Sequence, residues 1–278
     1  MPHTTRTPLA TVVALLVAAA LASTLSGCAR TASARDAGRP IGTATSDAPV
    51  ELRVSAASSL ARVLARTARP FEVQQHVKLV FNLGASGLLQ KQIEAGAPAD
   101  VFVSAGPAQV ATLAAEGFLS TDTASAFAGN DLVVMVPKGN PAGIHGPEDL
   151  SKAAHIVTGN PATAPHGAKA NEWLTGIGLW DGLRPRIVFA ENAAQTLDYV
   201  ARGEADAGIG FASEAKGSGE VEIVYTVPKG EIAPVRYVAA PLVGSGHVDL
   251  AARYVTYLSS PDVQKALVNA GFLPAPPR

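Results

Sequence analysis

From Val50 onward, short β-branched, apolar runs alternate with stretches whose apolar positions recur at helical spacing. Leu52-Arg53-Val54 is strand-like, and Leu60, Val63, Leu64, Thr67 and Ala68 then share one helical face that ends near Pro70. A strand over 77–81 leads to a helix over 88–95 closed by Gly96, and a further strand spans 100–104. Pro107 opens a helix carrying Val110, Leu113 and Ala114, with Gly117 as its stop. Strands follow at 132–136, 155–158, 186–189, 207–211 and 221–225, with helices at 168–175 and 194–202. Two helical patterns close the chain, one carrying Val248, Ala251, Ala252, Val255 and Leu258, the other running from Pro261 to Gly271. Repeated strand–helix alternation predicts an α/β fold of helix-covered parallel sheets, whose ligands bind at the carboxyl ends of the strands.

Two of the predicted strand-to-helix loops carry candidate chemistry. Asn82-Leu83-Gly84-Ala85-Ser86-Gly87 and Ser55-Ala56-Ala57-Ser58-Ser59-Leu60 each end a strand and begin a helix. The first turn of a helix has N–H groups without intrahelical acceptors, a geometry suited to an anion. No Lys-Ser/Thr pair follows the last glycine, so this is not a nucleotide P-loop. Ser59 and Ser86 therefore read either as helix N-caps or as hydroxyl donors to a small anion, and the two roles are compatible.

Composition narrows the classes. At 278 residues, 47% apolar and 16% charged, the chain is long enough for one large or two ordinary globular domains. A net charge of −1 provides no basic stripe for nucleic acid. Asp100, Glu191 and Asp198 lack the His or Ser partners of a catalytic constellation, and no metal-ligand cluster or cofactor motif is present in the sequence. The N-terminus reads as an export signal: Arg6, an alanine-rich apolar run from Leu9, then Leu25-Ser26-Gly27-Cys28. That tetrapeptide resembles the bacterial lipobox, which makes the sole cysteine, Cys28, the expected lipidation site, with a plain cleaved signal as the alternative. Residues 1–27 are then the signal, 28–49 a flexible tether, and the body a membrane-anchored lipoprotein of the cell envelope, facing the extracytoplasmic side or periplasm.

Residues 92–105, Gln-Ile-Glu-Ala-Gly-Ala-Pro-Ala-Asp-Val-Phe-Val-Ser-Ala, resemble a signature of the substrate-binding components of ABC importers for molybdate and related oxyanions. Residues 54–60 resemble that family's first-strand Ala-Ala-Ser-Leu turn. Gly129-Asn130-Asp131-Leu132-Val133-Val134 is similar to its crossing between lobes, and residues 208–215 to a late strand and loop. The resemblance extends from about Glu51 to Phe272. It implies a two-lobed periplasmic-binding-protein fold of type II, with lobe 1 at 50–131 plus 238–278, lobe 2 at 132–237, and the ligand in the cleft between them.

Carried onto this chain, the family's ligand positions are Ser59 and Ser86 through hydroxyls, His166 and Ala193 through backbone N–H groups, and Phe211 where the family often has Tyr. Phe211 lacks the hydroxyl and reads as core packing or an apolar cleft wall. His166 stands where the family typically has a small residue. Its imidazole is either an exposed loop group or a source of an N–H or a positive charge beside the anion, which would make affinity depend on pH. Hydroxyls and amides without a carboxylate favour a fully deprotonated oxyanion over phosphate, and do not separate molybdate from sulfate. The resemblance implies a non-enzymatic, monomeric receptor for molybdate, and tungstate beside it, serving an ABC permease and ATPase. A receptor for another oxyanion such as sulfate, and a sensor or enzyme on the same fold, are the alternatives.

Overall fold

The computed structural model describes residues 49–275; the segments expected to be an export signal and a tether, with Cys28, lie outside them up to residue 48. The first sheet begins with β1 (Val50–Ala57), followed by a 3-10 turn at Ser58–Leu60 and helix α1 (Ala61–Gln75). It continues through β2 (Val77–Gly84), α2 (Ser86–Glu94), β3 (Val101–Ser104), α3 (Pro107–Ala115) and β4 (Ser125–Asn130). A single residue, Asp131, then separates β4 from β5 (Leu132–Pro137), the first strand of a second sheet. That sheet adds β6 (Ile156–Gly159), α4 (Pro165–Gly176), α5 (Trp180–Leu183), β7 (Ile187–Ala190) and α6 (Ala193–Ala201). It ends with β8 (Ala207–Phe211), α7 (Ala212–Lys216) and β9 (Val221–Thr226). The chain returns through 227–234 to β10 (Val235–Pro241) in the first sheet, and finishes with α8 (Val248–Tyr257) and α9 (Pro261–Asn269).

The two sheets repeat one topology without a matching sequence repeat. Their strand orders are β2-β1-β3-β10-β4 and β7-β6-β8-β5-β9. In each, three parallel strands are followed by a strand that runs antiparallel to both of its neighbours. The sheets are thus mixed, not parallel as the alternation of elements predicts. The antiparallel members, β5 and β10, are the strands by which the chain enters one sheet and re-enters the other. β4 and β10 were not anticipated as strands; β4 is rich in Ala and Gly, and β10 starts at Val235, ahead of the return at 238 expected from the sequence.

Pro70 does not end α1, which runs through it to a left-handed cap at His76. Pro70 and Arg66, whose carbonyl loses its helical partner, both lie on the exposed face, where water can serve that carbonyl. The turn beyond is retained because Phe71 is buried against Tyr254 and Tyr257, with ring centroids at 5.0 and 5.1 Å. Among the described residues, no helix is long and apolar enough to cross a membrane.

Asp100 has a structural role: its carboxylate accepts from the Arg53 amide at 2.7 Å and the Ser245 hydroxyl at 2.6 Å, tying β1 to the segments around β3 and α8. Glu191 and Asp198 are exposed. Phe71→Ala should lower unfolding free energy by about 3–5 kcal/mol, the usual cost of emptying a buried aromatic site, as read by urea titration.

Candidate functional site

The carboxyl ends of β1, β2, β6, β7 and β8 meet where the two sheets face each other. There a small cavity is lined by Ala57, Ser58, Ser59, Gly84, Ala85, Ser86, Ala105, Pro165, His166, Ala193 and Phe211. All five ligand positions expected from the sequence fall in this lining. Its volume, about 10 Å³, is on the scale of a single water. A larger cavity, of about 420 Å³, lies at the crossing segments beside Leu132, Val227, Ile232 and Leu273; its lining is mainly apolar, and size alone does not mark a site.

Three α-helices and the 3-10 turn at Ser58–Leu60 begin at the small cavity. Ser59 sits in the turn that leads into α1, Ser86 is the first residue of α2, His166 the second of α4, and Ala193 the first of α6. Each helix start carries amides without intrahelical acceptors and a partial positive charge. In α6, the Asn192 side chain accepts from Gln195 N–H at 3.1 Å and the Asn192 carbonyl accepts from Thr196 N–H at 3.1 Å. The first-turn amides of Ala193 and Ala194 precede those capped positions. The lining contains no Lys, Arg, Asp or Glu.

Neither serine caps its own helix. The Ser86 hydroxyl oxygen accepts from Ala105 N–H at 3.0 Å, and Ser86 is fully buried. Its proton is left to donate elsewhere. Ser59 Oγ lies 2.8 Å from Tyr237 Oη, and the Asn130 amide also donates to Tyr237 Oη, at 3.2 Å. Tyr237 was missed in the sequence because β10 was not recognised as a strand, and its contact with Ser59 joins residues far apart in the chain.

His166 is neither an exposed loop group nor a cation. It is buried, and burial pushes its imidazole down to about 4, so the ring is neutral at physiological pH. The Thr196 hydroxyl donates to the Asn192 carbonyl at 3.2 Å, which leaves Thr196 Oγ1 to accept from His166 Nε2–H at 3.0 Å. The ring packs over Gly159, where a methyl group would lie 2.5 Å from it. Phe211 is almost fully buried and makes edge contacts with His166 at 5.7 Å and Tyr237 at 6.1 Å. It is both core and cavity wall, and it spans the two sheets.

The sheets touch closely around this cavity. Gly87 N–H donates to the Thr163 carbonyl at 2.8 Å, and a methyl on Gly87 would fall 2.5 Å from that oxygen. Arg62 of α1 donates to the Ser213 carbonyl at 2.7 Å, beside Glu214, a carboxyl that burial raises to about 7.

The two buried groups oppose each other in their effect on stability. Lowered in the folded state, His166 binds its proton first in the unfolded chain. Its contribution is therefore present above pH 6.5 and lost as pH falls toward 4, by about 3 kcal/mol. Glu214 is raised, so its contribution is present below pH 4.5 and lost as pH rises through 7. Urea titrations from pH 4 to 8 should show the acid-side loss reduced in His166→Gln and the neutral-side loss reduced in Glu214→Gln. Curves parallel to wild type would contradict these assignments.

Comparison with known proteins agrees with this geometry. A family model described as bacterial extracellular solute-binding protein matches residues 52–273. A Bacillus subtilis protein, YvgL, named as a candidate ABC transporter substrate-binding lipoprotein, is 31% identical over 89% of this chain and 92% of its own. The Haemophilus influenzae molybdate-binding protein ModA is 32% identical over 81% of this chain and 91% of its own. The structure of the Azotobacter vinelandii periplasmic molybdate-binding protein superposes with a TM-score of 0.72 at 26% identity, covering 82% of this chain and all of that one.

Proposed function

This chain belongs to the bacterial extracellular solute-binding proteins, and we propose that within that family it captures molybdate, and tungstate beside it, and delivers the anion to an ABC importer. The observation that carries this reading is the cavity itself. Two serine hydroxyls, the first turns of three α-helices and the 3-10 turn at Ser58–Leu60 meet in a volume of about 10 Å³ with no charged side chain in its lining. Such a site offers donors only. Molybdate and tungstate are fully deprotonated at neutral pH and need nothing else, whereas phosphate retains a proton that calls for an acceptor. The relatives named for molybdate support the choice among deprotonated oxyanions.

In this reading Ser59 and Ser86 bind through their hydroxyls, His166 and Ala193 through backbone N–H groups, and Phe211 by walling the cavity. The two lobes, built on the first and second sheets, close on the anion by bending at the two crossing segments. Several charge-assisted hydrogen bonds in a partly desolvated cleft supply the ~8–12 kcal/mol that corresponds to micromolar to nanomolar affinity. Closure then forms the surface that the permease reads. The serines hold Tyr237 and the Ala105 amide, not a histidine base, which supports capture without turnover.

The protein acts as a monomer on the extracytoplasmic side, held to the membrane by a lipid on Cys28. Export and lipidation are supported by the apolar N-terminal run with Leu25-Ser26-Gly27-Cys28, and by the relative named as a lipoprotein.

Calorimetry should give tight binding of molybdate and tungstate and much weaker binding of phosphate; tight binding of another anion with none of these two would retire the assignment. Ser86→Ala should weaken molybdate by about tenfold to a hundredfold, the cost of one hydrogen bond to a charged group. Mass spectrometry of the native protein should find a diacylglyceryl-modified Cys28 at the mature N-terminus.

A further inference from the structure

We propose that Tyr237, oriented by Asn130, is a positioning residue that turns the Ser59 hydroxyl proton into the cavity and makes Ser59 an obligate donor to the bound oxyanion. This rests on the cavity being an oxyanion site, and it adds how the direction of one donor is set.

The Asn130 side-chain oxygen faces two backbone donors, Asp131 N–H at 3.1 Å and Ser213 N–H at 3.3 Å, which orients the amide. Its nitrogen therefore donates both hydrogens, one to Ser213 Oγ at 2.8 Å and the other to Tyr237 Oη at 3.2 Å. Tyr237 is fully buried, and burial raises its phenol well above the ordinary range, so the proton stays on. With Asn130 donating to it, Tyr237 needs an acceptor for its own proton, and Ser59 Oγ stands 2.8 Å away. The reverse arrangement, Ser59 donating to Tyr237, strands a buried phenolic proton. Ser59 thus accepts from Tyr237, and its own proton is directed into the cavity.

The relay also joins the lobes. Asn130 and Tyr237 belong to strands of the first sheet, whereas Ser213 lies on α7 against the second. Separation of the sheets would remove two of the contacts that orient Asn130, so Ser59 is locked as a donor only when the lobes are together.

The test is calorimetry with molybdate and phosphate on the wild-type protein, Tyr237→Phe, Asn130→Asp and the double variant, each first checked for a cooperative thermal transition. In Tyr237→Phe the serine hydroxyl is free to turn and accept. Molybdate should weaken by about threefold to tenfold while the phosphate-to-molybdate affinity ratio rises. In Asn130→Asp the carboxylate captures the Tyr237 proton, Tyr237 then accepts from Ser59, and the serine presents lone pairs to the anion. Molybdate should weaken by about a hundredfold. Adding Tyr237→Phe to Asn130→Asp should recover about tenfold of that loss, because the new charge remains but the reversed relay does not.

Unchanged affinity and ratio in Tyr237→Phe, or a double variant no better than Asn130→Asp, would overturn the relay while leaving the molybdate reading intact. Failure of the wild-type protein to bind any oxyanion would overturn both. Should Asn130→Asp not fold, the affinity and ratio of Tyr237→Phe decide alone.

Discussion

Unpaired backbone N–H groups at helix starts govern this structure. Each helix begins with amides that have no intrahelical acceptor, and burying them without a partner is costly. The fold brings four such starts, one of them a 3-10 turn, to one small volume, two from each sheet. Their dipoles add with the same sign, so an anion in that volume is stabilised without a Lys or Arg in the lining. A dipole site of this kind has no counter-charge to be neutralised on opening, and its attraction falls away within a turn of helix.

The distance between the sheets depends on close backbone approach. Gly87 of α2 donates to the Thr163 carbonyl across the gap, and the space there does not admit a side chain. Gly167 likewise lies directly over the Gly159 carbonyl, which sets α4 tightly on the end of β6. The chain crosses between sheets at Asp131 and at 227–234, and the antiparallel strands β5 and β10 carry those crossings into the middle of each sheet. The crossing strand β4 ends in Asn130, so the residue that orients Tyr237 stands at the point about which the lobes would bend.

The aromatic wall explains how a histidine can line the small cavity without lending it charge. His166, Phe211 and Tyr237 form successive edge contacts, with Phe211 bridging the sheets. Burial in this cluster disfavours the imidazolium, and the Thr196 hydroxyl holds the neutral ring by Nε2. The same low-dielectric surroundings strengthen every donor that does point inward. Phe211 therefore contributes exclusion of water where a tyrosine would contribute a hydroxyl, and Tyr237, approaching from the other sheet, places its hydroxyl on Ser59 instead.

Local patterns were sufficient for much of this protein. Period and punctuation located most strands and helices, because apolar spacing and Gly or Pro breaks are properties of short segments. The Gly-Ala-Ser-Gly loop and the Ser58-Ser59 turn could be read as helix starts because a helix start is a local structure. Other features were not legible. Pro70 reads as a stop in isolation, and only Phe71 packing on Tyr254 and Tyr257 carries the helix past it. The small residues of β4 carry little strand signal and pair because β10 lies beside them. His166 cannot be assigned a charge until its burial is known, and the direction of the Ser59 proton depends on Asn130 and Tyr237, the latter 178 positions away in sequence. Segment type follows from neighbours along the chain. Protonation and donor direction follow from neighbours in space, which only the folded arrangement of the two sheets supplies.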